Sequence, residues 1–237
     1  MRRRGQIVII ATLVIAILIL SVAAMLYESA TSYQRIRHEY ISGLLDNINR
    51  EFDKVLTYIL ASITQKYDGN TEIDAFQGDV YLKFDYWIKF LLRAFSSYDI
   101  QMDFTYPVLD LSWNSSNAYS SISARLAINM TKLGFYGWNR TSVILLNATI
   151  LSVSSNSYLE INLTVNKEYG IPDEKLSEQS FTILYFNGSQ WNEADILEFY
   201  NYGGGKYTID VSRDLAGKPL EIWITDERGI IVELYYS

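Results

Sequence analysis

Residues Ile122–Met130 read ISARLAINM, with apolar side chains at Ile122, Ala124, Leu126, Ile128 and Met130, every second position. Successive side chains of a β-strand point to opposite faces, so this pattern predicts a strand with one buried and one wet face. Leu159, Ile161, Leu163 and Val165 repeat it. Further strands are expected at Gln101–Asp110, Val143–Val153, Phe181–Phe186, Ile196–Tyr200, Lys206–Val211, Leu220–Thr225 and Ile230–Tyr235. Turn signals at Asn187-Gly188, Gly203-Gly204-Gly205, Ala216-Gly217 and Arg228-Gly229 separate them. Residues 100–237 therefore read as a β-rich exterior domain, an antiparallel sandwich. Its last ~95 residues carry the strand arithmetic of an immunoglobulin-like domain without the Cys and Trp hallmarks.

Upstream of residue 100 the period changes. Tyr33, Ile36, Tyr40, Leu44, Ile48, Phe52, Val55, Ile59 and Ile63 recur at steps of three or four, which is helix spacing. The mean step slightly exceeds 3.6, so the stripe drifts round the helix surface and needs a partner along its length. Residues 28–66 are assigned to this helical stalk. The partner is either the protein's own exterior domain or the same stripe of a neighbouring subunit, and spacing does not choose between them. Residues 67–99 hold a polar break, with a turn signal at Asp68-Gly69-Asn70, and a second helix expected at Val80–Ser97 with Tyr81, Phe84, Ile88, Leu91, Leu92 and Phe95 buried. The fold class expected is α+β: a membrane helix continuing into a long helix, a second helix, then the sandwich.

From Ile7 to Leu26 the chain is Ile, Val, Leu, Ala and Met, broken only by Thr12 and Ser21. Twenty such residues cross a hydrocarbon core of ~30 Å as a helix, so residues 6–27 are read as a single membrane span. Arg2, Arg3 and Arg4 favour a cytoplasmic N-terminus and an outward-facing remainder. No Pro precedes Pro107, so span and stalk can form one rod from Gln6 to Lys66, about 90 Å long, with Ser42-Gly43 its expected kink.

Three readings of this segment stay open. Ser21-Val22-Ala23 offers a small-x-small site for a cleaved secretory signal, and a plain signal anchor is the second. The third rests on the junction Arg4-Gly5-Gln6-Ile7, a short basic leader (residues 1–5) ending in Gly directly before the apolar helix. It resembles the class III leader of archaeal type IV pilins and archaellins. That resemblance covers about 25 residues and implies cleavage after Gly5 by a prepilin-type peptidase, with Arg4, Gly5 and Gln6 as the processing site. It also implies that the apolar helix serves first as membrane anchor and then as filament seam against copies of the chain or other pilin-like subunits. Bacterial type IV pilins carry Glu at the fifth mature position, where this chain has Ile10; archaeal members commonly lack it.

Composition narrows the chemistry. With 237 residues, 49% of them apolar, the chain can build a real core. A net charge of -7 offers no basic stripe for nucleic acid. There is no Cys, hence no disulfide, thiolate or sulfur-based zinc site, and His38 is the single histidine. No cofactor is expected and no enzyme activity. Asp68, Asn70, Glu72, Asp74 and Asp79 have the alternate spacing of a calcium loop, but Ile73 stands where its turn needs Gly and Asp79 where it needs Glu, so the stretch reads as a solvated linker. Asp226-Glu227 reads as a hairpin turn, since neighbouring strand carboxylates face opposite ways. No two carboxylates can be placed in one cleft from spacing. Tyr is abundant at 19 residues, including Tyr185, Tyr200, Tyr207, Tyr235 and Tyr236, which suit a half-buried sheet. Trp113, Trp138 and Trp191 fall in expected loops, where a ring can bind glycans or proteins.

Asn-x-Ser/Thr occurs at Asn114, Asn129, Asn139, Asn147, Asn162 and Asn187, all in the β-rich part. In the two clearest strands Asn129 and Asn162 fall opposite the apolar set. Together with the outward topology this makes all six N-glycosylation candidates. The reading as a whole is a membrane-anchored, outward-facing structural or interaction protein of the pilin-like class, a minor pilin or adhesin-like subunit. The alternative is a permanently anchored binding module or accessory subunit of a surface complex.

Overall fold

A computed structural model describes residues 2–69, 71–114 and 116–237, with side chains in the first helix from residues 16–32 and 39–64. The chain divides into two compact units, residues 1–50 and 51–237. Helix α1 (Arg2–Thr64) is unbroken through Ser42-Gly43, so the helical assignment shows no interruption at the expected kink.

In the first unit the apolar residues from 16 to 27 are exposed on every side, Leu20, Met25, Leu26 and Tyr27 being 69%, 72%, 66% and 73% accessible, whereas Ile41, Leu45 and Ile48 are buried. Ser21 and Thr31 donate their hydroxyl protons to the carbonyls of Ile17 and Tyr27, each at 2.9 Å, so neither presents an unmet polar group. Among the described residues no helix is long and apolar enough to cross a membrane. The side chains of Ile7–Ile15, the first half of the expected span, and of Tyr33 and Ile36 lie outside those residues, as do those of Arg4, Gly5 and Gln6.

In the second unit the closing turns of α1 meet α2 (Gln77–Ala94). Phe52 is fully buried, stacked on Trp87 at 5.5 Å and near Phe84 at 6.3 Å. Leu56 is buried beside it while Val55 is only half-buried. At ~100° per residue Leu56 lies about 40° round from Phe52 and Val55 about 60° the other way, so the buried stripe is rotated slightly from the expected one. The same holds for α2, whose buried residues are Val80, Phe84, Trp87, Ile88 and Leu91. Tyr81 and Leu92, expected inside, are exposed and Phe95 is half-buried, because the inner face is turned toward Trp87, the ring that reaches Phe52. The helix also starts three residues before the expected Val80, after a 3₁₀ turn at Ile73–Phe76.

The remainder forms two antiparallel sheets, consistent with a β-sandwich. The strands are β1 (Ile100–Phe104), β2 (Val108–Ser112), β3 (Asn117–Met130), β4 (Phe135–Ser155), β5 (Leu159–Lys167), β6 (Phe181–Phe186), β7 (Trp191–Glu193), β8 (Ile196–Gly203), β9 (Lys206–Val211), β10 (Leu220–Thr225) and β11 (Ile231–Tyr236). Seven make one sheet in the order β1-β3-β4-β5-β9-β8, with β2 also on β3, and four make the other in the order β11-β10-β6-β7. The single strand expected at Gln101–Asp110 is two, parted by Thr105-Tyr106-Pro107. Pro107 has no N–H for the ladder, and Thr105 bridges the gap by donating its N–H to the Arg125 carbonyl at 3.0 Å while its hydroxyl accepts from the Arg125 N–H at 2.9 Å. Strand β4 begins earlier than expected, which takes Trp138 out of a loop and into a strand; Trp191 likewise lies in β7, and Trp113 alone of the three stays in a loop.

The alternation read from Ile122–Met130 holds along β3, with Ala118, Ser120, Ile122, Ala124, Leu126, Ile128 and Met130 buried. The sheets meet where Phe181 of β6 touches Phe199 of β8 and Tyr207 of β9, each at 5.4 Å, and where the Ser120 hydroxyl donates to the Ile231 carbonyl at 2.7 Å. The Asp53 carboxylate accepts from Arg140 and Ser142 of β4, both at 2.6 Å, and the Thr64 hydroxyl accepts from the Ile231 N–H at 3.1 Å. Phe52→Ala removes the ring that α2 closes on. A loss of about 3–5 kcal/mol is expected, measured as a shifted denaturation midpoint in the Trp87 fluorescence of the full chain; an unchanged midpoint would show that the aromatic contact does not hold the helices.

Candidate functional sites

Even-numbered residues of β10 and β11 point into the sandwich: Leu220, Ile222, Ile224, Val232 and Leu234 are all buried. The odd ones share the outer face, and the ladder sets Glu221 opposite Tyr235 and Trp223 opposite Glu233. The turn after α1 brings Asp68 over this face, held by the Tyr67 ring standing edge-on to Trp113 at 4.6 Å. The Asp68 carboxylate accepts the Thr71 N–H at 2.7 Å, and the Tyr235 N–H donates to the Asn114 carbonyl at 3.3 Å. Between these segments lies a cavity of about 220 Å³ lined by Asp68, Gly69, Trp113, Glu221, Glu233 and Tyr235.

Burial, reinforced by the Glu221 and Asp68 charges, pushes the Glu233 carboxyl up to about 7. Burial raises Glu221 too, partly offset by the indole N–H of Trp223, which approaches its carboxyl without closing a hydrogen bond. Among the described residues no Lys or Arg forms an ion pair with either. Such a pair can hold a proton near neutrality, and its aromatic walls can cover the apolar part of a guest. Sequence spacing gave no reason to put two carboxylates in one cleft, and the structure does so. The signal lay in Glu221 and Glu233 both standing opposite the apolar set of an expected strand, but nothing in the sequence paired those strands or set Asp68 above them.

The consequence for stability is opposite to that of a salt-bridged carboxylate. Between the ordinary carboxyl value and about 7 the folded chain keeps a proton on Glu233 that the unfolded chain has lost, so stability falls as pH rises through that window and is level above it. Discounted for partial exposure, the loss is about 1 kcal/mol. Glu233→Gln is expected to flatten this slope and unfold later than the wild type at pH 8. A wild-type melting temperature that climbs between pH 5 and 7 while the variant tracks it would exclude the assignment.

The six sequons are all on outer faces or turns. Asn129, Asn139, Asn147 and Asn162 share the outer face of the seven-stranded sheet, on β3, β4 and β5, because their inward neighbours are the buried set. Asn114 lies in the β2–β3 connection and Asn187 at the tip of the β6–β7 hairpin.

The calcium-like stretch forms no ligand cage among the described residues, where no group of three or more His, Cys, Asp or Glu could hold a metal ion; Asn70 lies outside them. Asp79 instead meets Lys66 at 3.3 Å. Gly203-Gly204-Gly205 makes the β8–β9 turn, and Gly205 is required there: its φ is +69° and a Cβ would stand 2.4 Å from the Val165 carbonyl. Asp226 closes the β10–β11 turn, accepting the N–H groups of Arg228 and Ile230 at 2.9 and 3.0 Å. Arg228 pairs with Asp226 and Glu168, and although burial works against its charge, the two carboxylates outweigh that and hold the guanidinium protonated. In comparisons with protein-family models, curated proteins and solved structures, nothing matches this chain.

Proposed function

We propose that this chain is an outward-facing surface subunit of the archaeal type IV pilin-like class, a minor pilin or adhesin-like member with no catalytic role. The observation that carries the reading is one continuous helix, α1, with two characters. Its described early turns are apolar on all sides, and its last turns, from Phe52 to Thr64, bury one stripe in a β-rich unit. A helix that is apolar all round wants hydrocarbon or a bundle of its own kind, and an anchor that becomes a filament seam meets both demands. In this reading residues 1–5 are the leader, the prepilin-type peptidase cuts between Gly5 and Gln6, and residues 6–27 cross the membrane with the N-terminus cytoplasmic. The β-rich unit is displayed, and its partners are the membrane and copies of itself or related subunits rather than nucleic acid.

For the displayed unit we propose an immunoglobulin-like plan. The order β4-β5-β9-β8 over β11-β10-β6-β7 follows the A-B-E-D and G-F-C-C′ sequence of such sandwiches, with β1–β3 extending one sheet. A second reading, a permanently anchored binding module, draws support from the cavity around Glu221 and Glu233, which a purely structural subunit does not need. The two separate at the N-terminus. The filament reading expects a mature chain beginning at Gln6, measured by mass spectrometry of the native protein. A native chain retaining Met1 or Arg2 selects the anchored module, and one beginning just after Ala23 removes both.

A further inference from the structure

The six sequons are alike as motifs and unlike as chemistry. Glycan transfer joins the Asn Nδ2 to the anomeric carbon of a sugar carried on a polyprenyl phosphate. The carbon–oxygen bond to the carrier breaks, the phosphate leaves on the lipid, and the amide proton passes to a base. The amide nitrogen must therefore be free to act, and the chain beside it must be able to enter another protein's cleft.

Asn162 meets neither condition. Its amide donates to Glu160 at 2.7 Å and to Ser152 at 3.1 Å, and its carbonyl oxygen accepts from the Thr208 hydroxyl. Both hydrogens and the oxygen are engaged. Its backbone lies between two ladders, opposite Ser152 of β4 and Thr208 of β9. Asn147 is similar: its amide donates at 2.9 Å to the side-chain oxygen of Asn117, which also takes the Thr149 hydroxyl, and its backbone runs between Tyr119 of β3 and Asn166 of β5. A sugar on either nitrogen would have to displace these bonds in the middle of the seven-stranded sheet.

Asn187 is the reverse case. It is exposed at a hairpin tip, next to Gly188 with φ +97°. Its side-chain oxygen accepts from the N–H and hydroxyl of Ser189, the third residue of its sequon, and from the Gln190 N–H, at 2.8 to 3.0 Å. This fixes the oxygen toward the turn and turns Nδ2 outward, where no described residue accepts from it. The loop from residue 187 to 190 projects beyond the ladder that β6 makes with β7.

We propose that Asn187 is the glycan acceptor of this chain, and that Asn147 and Asn162 are structural amides that stay bare. The inference rests on the β-rich unit being displayed outside the cell, where the lipid-linked donor is used. The test is peptide-resolved mass spectrometry of the full chain isolated from its own membrane. Glycan on the Asn187 peptide, with none on those of Asn147 and Asn162, is the expected result, and Asn187→Gln should lose that mass as a gel shift that Asn162→Gln does not produce. A bare Asn187, or sugar on either sheet residue, overturns the proposal. The N-terminal peptide of the same digest keeps the two readings apart. A start at Gln6 with a bare Asn187 sinks the acceptor alone, and an intact leader with a modified Asn187 sinks only the filament.

Discussion

The second unit is organised by the seating of the last turns of α1. Phe52, Leu56, Ile59, Leu60 and Ile63 are each at most 1% accessible. At roughly 1.5–3 kcal/mol per buried side chain their gross contribution is on the order of 10 kcal/mol before ordering costs. The ion pair of Asp53 with Arg140 is a smaller matter energetically, since about a third of each side chain remains accessible and such pairs contribute less than about 1 kcal/mol. Its use is positional. With the Ser142 hydroxyl on the other carboxylate oxygen, it fixes which face of the helix meets β4, and the apolar stripe then has only one way to lie.

That division explains what could be read in the sequence and what could not. The strands at Phe181–Phe186, Lys206–Val211 and Leu220–Thr225 were legible to the residue, because a short apolar run between turn signals has few alternatives. Helix faces were legible to within about half a turn. Val55 and Tyr81 were misplaced because periodicity locates a stripe but not the partner that decides its centre, and here Trp87 does so from a position that an i, i+4 count passes over. The Pro107 break and the early start of β4 went unseen for a different reason: Thr105 and the Gly137-Trp138 stretch carry weak strand patterns and are held by neighbours supplied by β3. The acidic cavity was illegible, since it exists only once residues near 68, 113, 221 and 233 are brought together.

The charged groups of the molecule fall into two kinds. Lys167 meets Asp173 and Glu227 at 3.1 Å, Lys175 meets Glu227 at 3.0 Å, and Arg228 holds Asp226 and Glu168. Every cation there has its counter-charge, and the cluster locks the β10–β11 turn onto the middle of β4, at the Leu145 carbonyl, and onto the end of β5. Removing one partner would strand a half-buried charge, which is far costlier than the pair is favourable. Further along the same two strands Glu221 and Glu233 form no ion pair among the described residues, and burial raises the proton affinity of both, with the Glu221 and Asp68 charges adding to it at Glu233. One hairpin thus carries both a paired charge cluster at its turn and, further along, carboxyls whose protonation burial favours.

The early turns of α1 pose a similar imbalance in apolar form. Leu18, Leu20, Met25, Leu26 and Tyr27 point to all sides of the helix and none is covered. In water a contiguous surface of that kind is a liability, and folded chains keep such patches to a few hundred Å² unless they serve as an interface. Two environments remove the penalty, the interior of a bilayer and the interior of a bundle of like helices, and they ask the same of the sequence. Both require that every polar group be satisfied within the helix, which Ser21 and Thr31 achieve through their own backbone carbonyls. Both tolerate side chains that differ in shape so long as none carries charge. Under the function proposed above, a surface that fits both solvents would let a subunit pass from one to the other without refolding, with Glu28 at the wet border, where a carboxylate belongs in either setting.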